Sequence, residues 1–235
     1  MRLDKYLGQS GVATRSEATK FIRARRVTVD GAVVRDPAQH IDPDTAAVML
    51  DGQPVVWREF TYVMLNKPTG YVSATEDRGP TVMELLPPQF VRMGLFPCGR
   101  LDKHTLGLML LTNDGTLSHR LLSPRRHVAK RYRFCTKFPL SDADCATFRQ
   151  GVCLEDGYET KPAEIELGDD LRSGVITLVE GKYHQIKLMM EAVHNQITYL
   201  ERITFGPLTL DPALERGEWR YLSAEEQSAL ESPAK

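Results

Sequence analysis

Cysteine is scarce in this sequence, and no two cysteines stand close together. The four that are present lie far apart and at no zinc-like spacing from a histidine: Cys98, Cys135, Cys145 and Cys153. This pattern argues against a disulfide framework and against a structural zinc site, and it is typical of reduced thiols in partly buried positions. We therefore expect no bound metal and assign the cysteines no function.

Long apolar segments are missing as well. The longest uninterrupted apolar run near the centre, Leu108–Leu111, is far shorter than the roughly 20 residues that span a bilayer. Arg2, Asp4 and Lys5 place charges where the apolar part of a signal peptide would begin. We expect a cytoplasmic protein that does not associate with membranes.

The sequence also has no internal repeat, no low-complexity segment and no glycine-rich nucleotide-binding loop. Its composition, 42% hydrophobic and 26% charged, is that of a folded protein rather than of a disordered chain. A length of 235 residues accommodates one large domain or a small module joined to a medium one.

The net charge is −1, but the charges are unevenly distributed. Residues 1–35 contain eight Lys or Arg against three acids, and residues 100–133 contain eight against two. Acidic residues concentrate elsewhere, as in residues 36–59. Two basic segments on a nearly neutral chain suit a protein that holds a polyanion, although solvated surface charge explains the counts equally well.

The first sixty residues have the pattern of a small module. Thr14 with Glu17 three residues later is a capping-box signal. The helix that follows directs its basic residues away from its apolar face: Arg15, Lys20 and Arg23. Asp30-Gly31 between two short apolar runs predicts a β-hairpin. Two short helices and a hairpin, with basic residues exposed, form a unit that can bind an RNA backbone.

Four segments of this module form a known combination: Arg2–Leu7, Thr14–Ala18, Ile22 and Val27–Gly31. Together they resemble the S4 RNA-binding domain over residues 1–59, which implies binding to structured RNA. A boundary near Trp57–Thr61 leaves residues 60–235, a length usual for one domain, as the second domain. One departure is Ala24-Arg25-Arg26, where the family often has a glycine before the hairpin. The departure adds charge and should leave the fold intact.

The remaining residues, 60–235, alternate short strand-like runs with few helices. Seven runs have strand patterns: Tyr62–Leu65, Leu108–Thr112, Arg131–Thr136, Ala163–Leu167, Val175–Glu180, Ile197–Glu201 and Leu208–Leu210. A helix is predicted around Ile186–Val193, and a short final helix from Ser223, capped with Glu226. The pattern predicts an α+β fold, in which the small domain precedes a domain with a mixed, largely antiparallel sheet.

The segment Gly99–Leu108 contains the strongest candidate for chemistry. Asp102 lies there between Arg100 and Lys103, on a loop that leads into an apolar strand. Nearby positive charge favours an ionised carboxylate, which can act as a nucleophile or stabilise a cationic sugar carbon. Spacing alone favours the simpler interpretation, a surface ion pair in a β-turn.

Two further segments can converge on Asp102. Lys130–Arg133 places Tyr132 among cations, a combination suited to stacking a base beside phosphates, although an ordinary strand tyrosine has the same pattern. Glu180–Lys187 leads into the predicted helix. Lys187 lies outside the apolar set of that helix, where it can reach a buried or half-buried acid.

These segments occur together in a specific order behind the S4-like module: Leu65–Gly70, Gly99–Asp102 with Thr105, Gly107 and Leu108, Ser123–Arg125, Lys130 with Tyr132, Glu180–Lys187 and Gly217–Arg220. They resemble the bacterial pseudouridine synthases of small-subunit (16S) rRNA, and the resemblance spans nearly the whole chain. It implies that the chain isomerises a specific uridine of 16S rRNA, as naked RNA or within an assembly intermediate.

The resemblance implies a role for each matching residue. Asp102 is the catalytic aspartate, Tyr132 stacks on the target base and is the candidate for taking its C5 proton, and Lys187 pairs with the aspartate. RNA contacts are implied for the remaining matches: Lys67, Arg100, Thr105, Arg125, Lys130, His184 and Gln185. Two positions depart from the family pattern: Leu188 replaces a second basic residue, and His194 replaces a common glycine.

The implied reaction requires the uracil to leave the base stack, because C1′ and C5 cannot be reached inside a helix. Asp102 attacks the base or assists glycosidic cleavage, the base rotates in the pocket, and C5 rejoins C1′. Which carbon Asp102 attacks stays open. Nothing is oxidised, reduced or hydrolysed, so we expect neither a cofactor nor a metal.

Three alternatives remain. A non-catalytic RNA-binding assembly factor would be expected to lack at least one of the three catalytic residues. A glycoside or nucleoside hydrolase needs a second carboxylate near Asp102, for which Glu180 is the only obvious candidate. A large-subunit (23S) rRNA enzyme of the same family more often has Asn-Arg or Tyr-Arg where this chain has Tyr183-His184. We expect a monomer.

Overall fold

The computed structural model describes residues 1–123, 126 and 128–231, and the chain forms two compact units. Unit 1 consists of Met1–Thr61 and Met83–Phe96, and unit 2 consists of Tyr62–Val82 and Pro97–Lys235. The domain boundary between residues 59 and 60 stays a prediction. The structure adds that residues 83–96 pack with the N-terminal segment.

Unit 1 combines short helices with a small antiparallel sheet. Its elements are α1 (Leu3–Gln9), α2 (Arg15–Arg23), β1 (Val27–Val29), β2 (Ala32–Val33), β3 (Val48–Leu50), β4 (Gln53–Pro54) and α3 (Pro88–Arg92). The strands have the order β2-β1-β3-β4. Leu7 and Ile22 from the first two helices share a core with Val27 and Val48 from the sheet.

The local signals read from this part of the sequence are confirmed. Thr14 Oγ1 accepts a hydrogen bond from Glu17 N at 3.2 Å, and the Glu17 carboxylate accepts one from Thr14 N at 2.8 Å, which completes the capping box. The predicted hairpin joins β1 to β2. Asp30 and Gly31 form its turn with φ of 51° and 80°, the positive values that a two-residue hairpin turn requires.

A second hairpin, between β3 and β4, was missed. Asp51 and Gly52 form its turn with φ of 51° and 76°, so the same dipeptide signal was present in the sequence. β3 pairs with β1, and Arg26, which directly precedes β1, forms an ion pair with Asp51 at 2.5 Å. The two hairpins therefore combine into one four-stranded sheet.

Helix α3 packs closely against Gly11 within unit 1. Arg92 Nε donates a hydrogen bond to Gly11 O at 2.8 Å. A Cβ atom at Gly11 would lie 2.9 Å from Met93 Cγ and 3.0 Å from Gln89 O, and the residue has a φ of 75°. Only glycine fits at this approach without displacing the helix.

Unit 2 is built on one large sheet. Its elements are β5 (Tyr62–Lys67), β7 (Leu106–Thr112), α4 (Gly115–Leu122), β8 (Lys130–Thr136), α5 (Asp142–Gln150), β9 (Glu164–Leu167), β10 (Ser173–Leu178), α6 (Gln185–Ala192), β11 (Ile197–Phe205), β12 (Leu208–Thr209), β13 (Trp219–Tyr221) and α7 (Ala224–Glu231). A 3-10 turn (Val82–Leu85) and β6 (Phe96–Pro97) lie where the chain passes from one unit to the other. The main strand order is β13-β5-β7-β11-β8-β10-β9, and β12 pairs with β11.

Along the main strand order, pairing is antiparallel except between β7 and β11, which confirms an α+β fold with a mixed, largely antiparallel sheet. All seven predicted strands are present, as is the helix after Glu180. The final helix is also confirmed, with the predicted cap: Glu226 N donates to Ser223 Oγ at 3.2 Å.

Two helices of unit 2 were missed although the sequence carries their N-terminal signals. Asp114 caps α4 by accepting a hydrogen bond from Leu117 N at 2.9 Å. Ser141 and Asp144 form a full capping box at the start of α5. On one side of the sheet, Leu108 and Leu110 of β7 share a core with Leu117 of α4. None of the described helices has both the length and the apolar character to cross a membrane.

Candidate active site

Asp102 lies on the loop between β6 and β7, and both oxygens of its carboxylate face cationic or ionisable groups. Oδ2 accepts a hydrogen bond from Lys187 Nζ at 2.6 Å, and Oδ1 lies 3.5 Å from His184 Nε2. The Asp102 and Lys187 side chains are 23% and 29% exposed, so the pair is accessible from solvent. Helix α6 thus brings Lys187 to the half-buried Asp102 carboxylate. The sequence indicated that Lys187 could reach such an acid, because this residue lies outside the apolar face of the helix.

Backbone contacts fix the loop that carries Asp102. Ser73 forms two hydrogen bonds with Leu101, the residue before Asp102. Its Oγ donates to Leu101 O at 2.8 Å and accepts from Leu101 N at 3.0 Å. Thr105 N donates to Asp102 O at 3.0 Å. The carboxylate therefore projects from a loop whose backbone is held on both sides of it.

Lys67, at the end of β5, stabilises the same loop. Its ammonium group donates to four carbonyl oxygens at 2.9–3.2 Å: those of Pro68, Asp102, Lys103 and Thr105. The side chain has no exposed surface, and burial lowers its pKa to about 8, an effect that the Asp102 carboxylate opposes. The predicted RNA contact is corrected here, because a buried ammonium group saturated by carbonyls positions the loop instead.

Tyr132 and Lys130 project from one face of β8. Across the strand pair, Tyr132 lies opposite Arg202 and Lys130 lies opposite Phe205. Lys130 Nζ donates to Val128 O at 3.0 Å. Burial, with a smaller contribution from the Arg202 guanidinium, lowers the Lys130 pKa to about 8. This face of β8 therefore places an aromatic ring beside two buried cations.

Arg202 is almost completely buried, at 1% exposure, and was not predicted as part of the site. Its Nε donates to Leu108 O at 2.8 Å, and its guanidinium lies 4.9 Å from the centre of the Phe205 ring. A Cβ atom at Gly107 would lie 2.3 Å from Arg202 O, and Gly107 has a φ of 97°. Gly107 thus permits the close contact between β7 and the parallel strand β11, which contains Arg202.

Glu180 organises the segment between β10 and α6. Its carboxylate accepts hydrogen bonds from Tyr158 Oη at 3.0 Å, Lys161 N at 3.0 Å and Gln185 Nε2 at 2.5 Å. Gln185 also accepts from Lys182 N at 2.9 Å and is 4% exposed. Gln185 therefore shapes the loop from inside, and the structure does not support its predicted RNA contact.

Tyr183 and His184 form an aromatic pair beside Asp102. Their rings are 3.8 Å apart and inclined by only 17°, and Tyr183 is 69% exposed. His184 has a φ of 52°, an unusual conformation for a residue other than glycine. This conformation precedes α6 and holds one ring face open to solvent next to the carboxylate.

A pocket of about 600 Å³ joins these features within unit 2. Asp102, Lys187, Tyr132, Lys130, Arg202 and Tyr183 are among the residues that line it. The volume lies within the roughly 300–1,000 Å³ typical of sites for small organic groups. The structure therefore brings the three predicted catalytic residues to one cavity.

The remaining predicted RNA contacts are distributed more widely. Arg100 lines the pocket and is exposed. Thr105 also lines it but is 1% exposed, which leaves its hydroxyl little access to RNA. Arg125 lies outside the described residues. In unit 1, three basic residues are exposed on α2: Arg15, Lys20 and Arg23.

Comparison with known proteins identifies the family. The RNA pseudouridylate synthase family matches residues 61–192, and the S4 domain matches residues 1–45. The chain belongs to the RNA pseudouridylate synthase family. It is an enzyme, an isomerase, with an S4 domain at its N-terminus.

Similar pseudouridine synthases match over nearly the whole length. An uncharacterised RNA pseudouridine synthase of Bacillus subtilis is 49% identical over 99% of both chains. The ribosomal small subunit pseudouridine synthase A of Escherichia coli is 42% identical over 98% of this chain and all of its own. The crystal structure of a pseudouridylate synthase aligns with a TM-score of 0.69 at 36% identity, covering 98% of this chain and 99% of the other.

Sequence reasoning missed two residues of this pseudouridine synthase site. Ser73 acts through backbone contacts to a segment 28 residues away, and no local pattern signals such a contact. Arg202 lies one residue beyond the strand predicted over Ile197–Glu201, so the prediction did not place it on an inward-facing strand position. The described residues contain no group of three His, Cys, Asp or Glu side chains placed to bind a metal.

Proposed function

We propose that this enzyme converts a uridine of small-subunit (16S) rRNA to pseudouridine, with Asp102 as the nucleophile acting on a flipped-out base. One observation carries the proposal: the Asp102–Lys187 ion pair opens into a pocket that Tyr132 also lines. The curated relatives named as small-subunit enzymes support the choice of RNA.

The proposed reaction is an isomerisation, so only protons leave or enter the nucleotide. The N1–C1′ glycosidic bond breaks, the uracil turns within the pocket, and a C5–C1′ bond forms. The C5 proton then leaves and N1 gains a proton, so the product is an isomer of the substrate. Asp102 forms and later releases a covalent bond to the sugar or the base, and Tyr132 is the group proposed to take the C5 proton.

The surroundings of Asp102 suit a nucleophile better than a surface ion pair. Lys187 orients one carboxylate oxygen, and the contacts from Lys67 and Ser73 hold the loop in place. A fixed nucleophile loses little entropy when it attacks, which is a large part of what positioning contributes to rate. The hydrolase alternative needs a second free carboxylate, and Glu180 already accepts three hydrogen bonds.

RNA must present its target base to this pocket from outside. The exposed ring of Tyr183 offers a stacking surface for a base next to the flipped uridine, and the exposed guanidinium of Arg100 offers a phosphate contact. Lys130 lines the pocket, and we expect its charge to face the bound nucleotide. These contacts are sequence-tolerant, so the choice of uridine depends on RNA shape.

Tritium release from RNA carrying 5-tritiated uridine tests the proposal. We expect release by the wild-type enzyme from 16S transcripts or partly assembled small subunits, and weaker release from 23S transcripts. Asp102→Asn should lower the rate by at least about a thousandfold, because it removes the nucleophile. RNA affinity should stay within about threefold, because little binding charge is lost.

Asp169→Asn, a change at an exposed carboxylate, is the matched control and should release tritium at the wild-type rate. Comparable release by Asp102→Asn and wild type would refute the role of Asp102. Preference for 23S RNA would refute the substrate and leave the mechanism standing.

A further inference from the structure

The C-terminus of α2 has a conformation usually built with glycine. The helix ends at Arg23, after which Arg25 N donates to Ile22 O at 3.0 Å and Arg26 N donates to Phe21 O at 3.1 Å. This pair of hydrogen bonds defines the Schellman motif, in which the residue after the C-cap takes a left-handed conformation. Arg25 occupies that position with a φ of 63°.

An arginine is an unfavourable choice for the backbone at this point. L-residues in the left-handed region bring Cβ too close to the following carbonyl, and glycine avoids the contact. The Arg25 side chain is exposed and forms no hydrogen bond or ion pair within the described part of the chain. Its side chain therefore does not offset the strain through contacts inside the folded protein.

The basic residues around Arg25 differ in whether they contact other side chains of the protein. Arg26 forms an ion pair with Asp51 at 2.5 Å, and its guanidinium lies 4.3 Å from the centre of the Phe21 ring. Arg25 and its neighbours Lys20 and Arg23 are exposed, and none of the ion pairs found among the described residues includes them. Three available cations thus cluster at one end of α2.

We propose that Arg25 is a phosphate-binding residue of the RNA surface at the end of α2, and that the strained backbone is retained for this contact. The inference rests on the proposed function only in taking RNA as the ligand. A guanidinium presents several donors to phosphate oxygens, and such contacts bind any RNA backbone regardless of sequence. Lys20 and Arg23 complete a surface that follows a backbone rather than reads bases.

Opposite effects on stability and on binding distinguish this role from a merely tolerated residue. Arg25→Gly should raise the thermal midpoint by about 2–4 °C, because it removes the strain. It should also weaken binding of a 16S transcript about fivefold to tenfold at 0.1 M salt and lower the slope of log affinity against log salt by about 1. Arg25→Ala should show the same loss of affinity without the gain in stability.

Two controls make the test decisive. Arg25→Lys keeps the charge and should bind within about twofold of wild type. Leu171→Gly relieves a left-handed residue (φ 54°) in unit 2 and should raise stability without changing RNA affinity. If Arg25→Gly bound RNA with unchanged affinity and unchanged salt dependence, the proposed phosphate contact would be refuted. If its thermal midpoint were unchanged, the proposed backbone strain at Arg25 would be refuted.

The binding measurement uses full-length enzyme with both 16S and 23S transcripts, because a phosphate contact acts on either. Loss of affinity for both RNAs supports the role of Arg25 even if tritium release contradicts the proposed substrate. Tritium release by Leu171→Gly should match wild type, whereas Arg25→Gly should release tritium more slowly at RNA concentrations below saturation, in proportion to its loss of affinity.

Discussion

Replacing Lys67 by Met should change stability at pH 7 moderately and lower activity strongly. The ammonium group contacts four carbonyl oxygens, two of which have other donors: Asp102 O accepts from Thr105 N, and Lys103 O accepts from Gly70 N. Two carbonyls are left to lose their contact, at roughly 1–3 kcal/mol each. Burying the charged lysine carries an opposing cost, which its lowered pKa measures.

That cost follows from the two pKa values. A fall from 10.5 to about 8 corresponds to roughly 3 kcal/mol against folding at pH 7. Methionine removes this penalty, so the free energy of unfolding should change by between a gain of about 1 kcal/mol and a loss of about 3 kcal/mol. The Asp102 loop nevertheless loses its restraint, and a displacement of about 1 Å at a reacting group can lower the rate about a hundredfold.

The pH dependence of the free energy of unfolding tests whether Lys67 is a buried cation with a lowered pKa. Because the folded pKa lies below the unfolded one, the unfolded chain binds more protons between pH 8 and 10.5, and stability rises with pH in that window. The wild type should gain about 2 kcal/mol relative to Lys67→Met between pH 7 and 9.5. Lys103→Met, at an exposed lysine of the same loop, should show no such difference.

Urea unfolding at the two pH values and tritium release at pH 7 provide the measurements. Parallel pH profiles for wild type and Lys67→Met would show that Lys67 is not a buried, destabilised cation. Undiminished tritium release by the variant would show that the loop needs no ammonium group to hold Asp102.

Three further predictions concern strain and stacking. Gly107→Ala should destabilise the enzyme by at least about 2 kcal/mol in thermal unfolding, because its Cβ would lie 2.3 Å from Arg202 O; Gly31→Ala, with positive φ but open space, should cost only about 1 kcal/mol. Tyr183→Ala should raise KM for RNA at least about fivefold with kcat unchanged, whereas a Phe replacement should not, and a fall in kcat alone would contradict the stacking role. His194→Gly should stabilise by up to about 1 kcal/mol, because residue 194 has a φ of 58°; a loss of stability would contradict that account.

The sequence predicted those parts of the fold that obey local rules. Asp30-Gly31 specified its hairpin and Thr14 with Glu17 specified the start of α2, because each signal acts within a few residues. The missed elements also carried local signals, as Asp51-Gly52 shows for β3 and β4. Those misses arose from unused signals rather than from a physical conflict.

The site was harder to predict, because its contacts join distant segments. Lys67 was assigned to RNA as a cation in a matching motif, but its surroundings became visible only when residues 102–105 were placed around it. The glycine common at position 194 has a physical reason in this structure, since the residue takes a left-handed conformation after α6. A motif therefore located the residues, and only the fold separated those that face substrate from those that hold the loop.

The composition of unit 1 has a consequence for how the protein is made. The chain passes out of unit 1 after Thr61, returns at Met83 and leaves again after Phe96. A ribosome that has released only the first sixty residues has not yet supplied α3, which Gly11 is shaped to receive. Unit 1 can therefore reach its final packing only after residues 83–96 have been synthesised, and a fragment ending at residue 59 lacks α3.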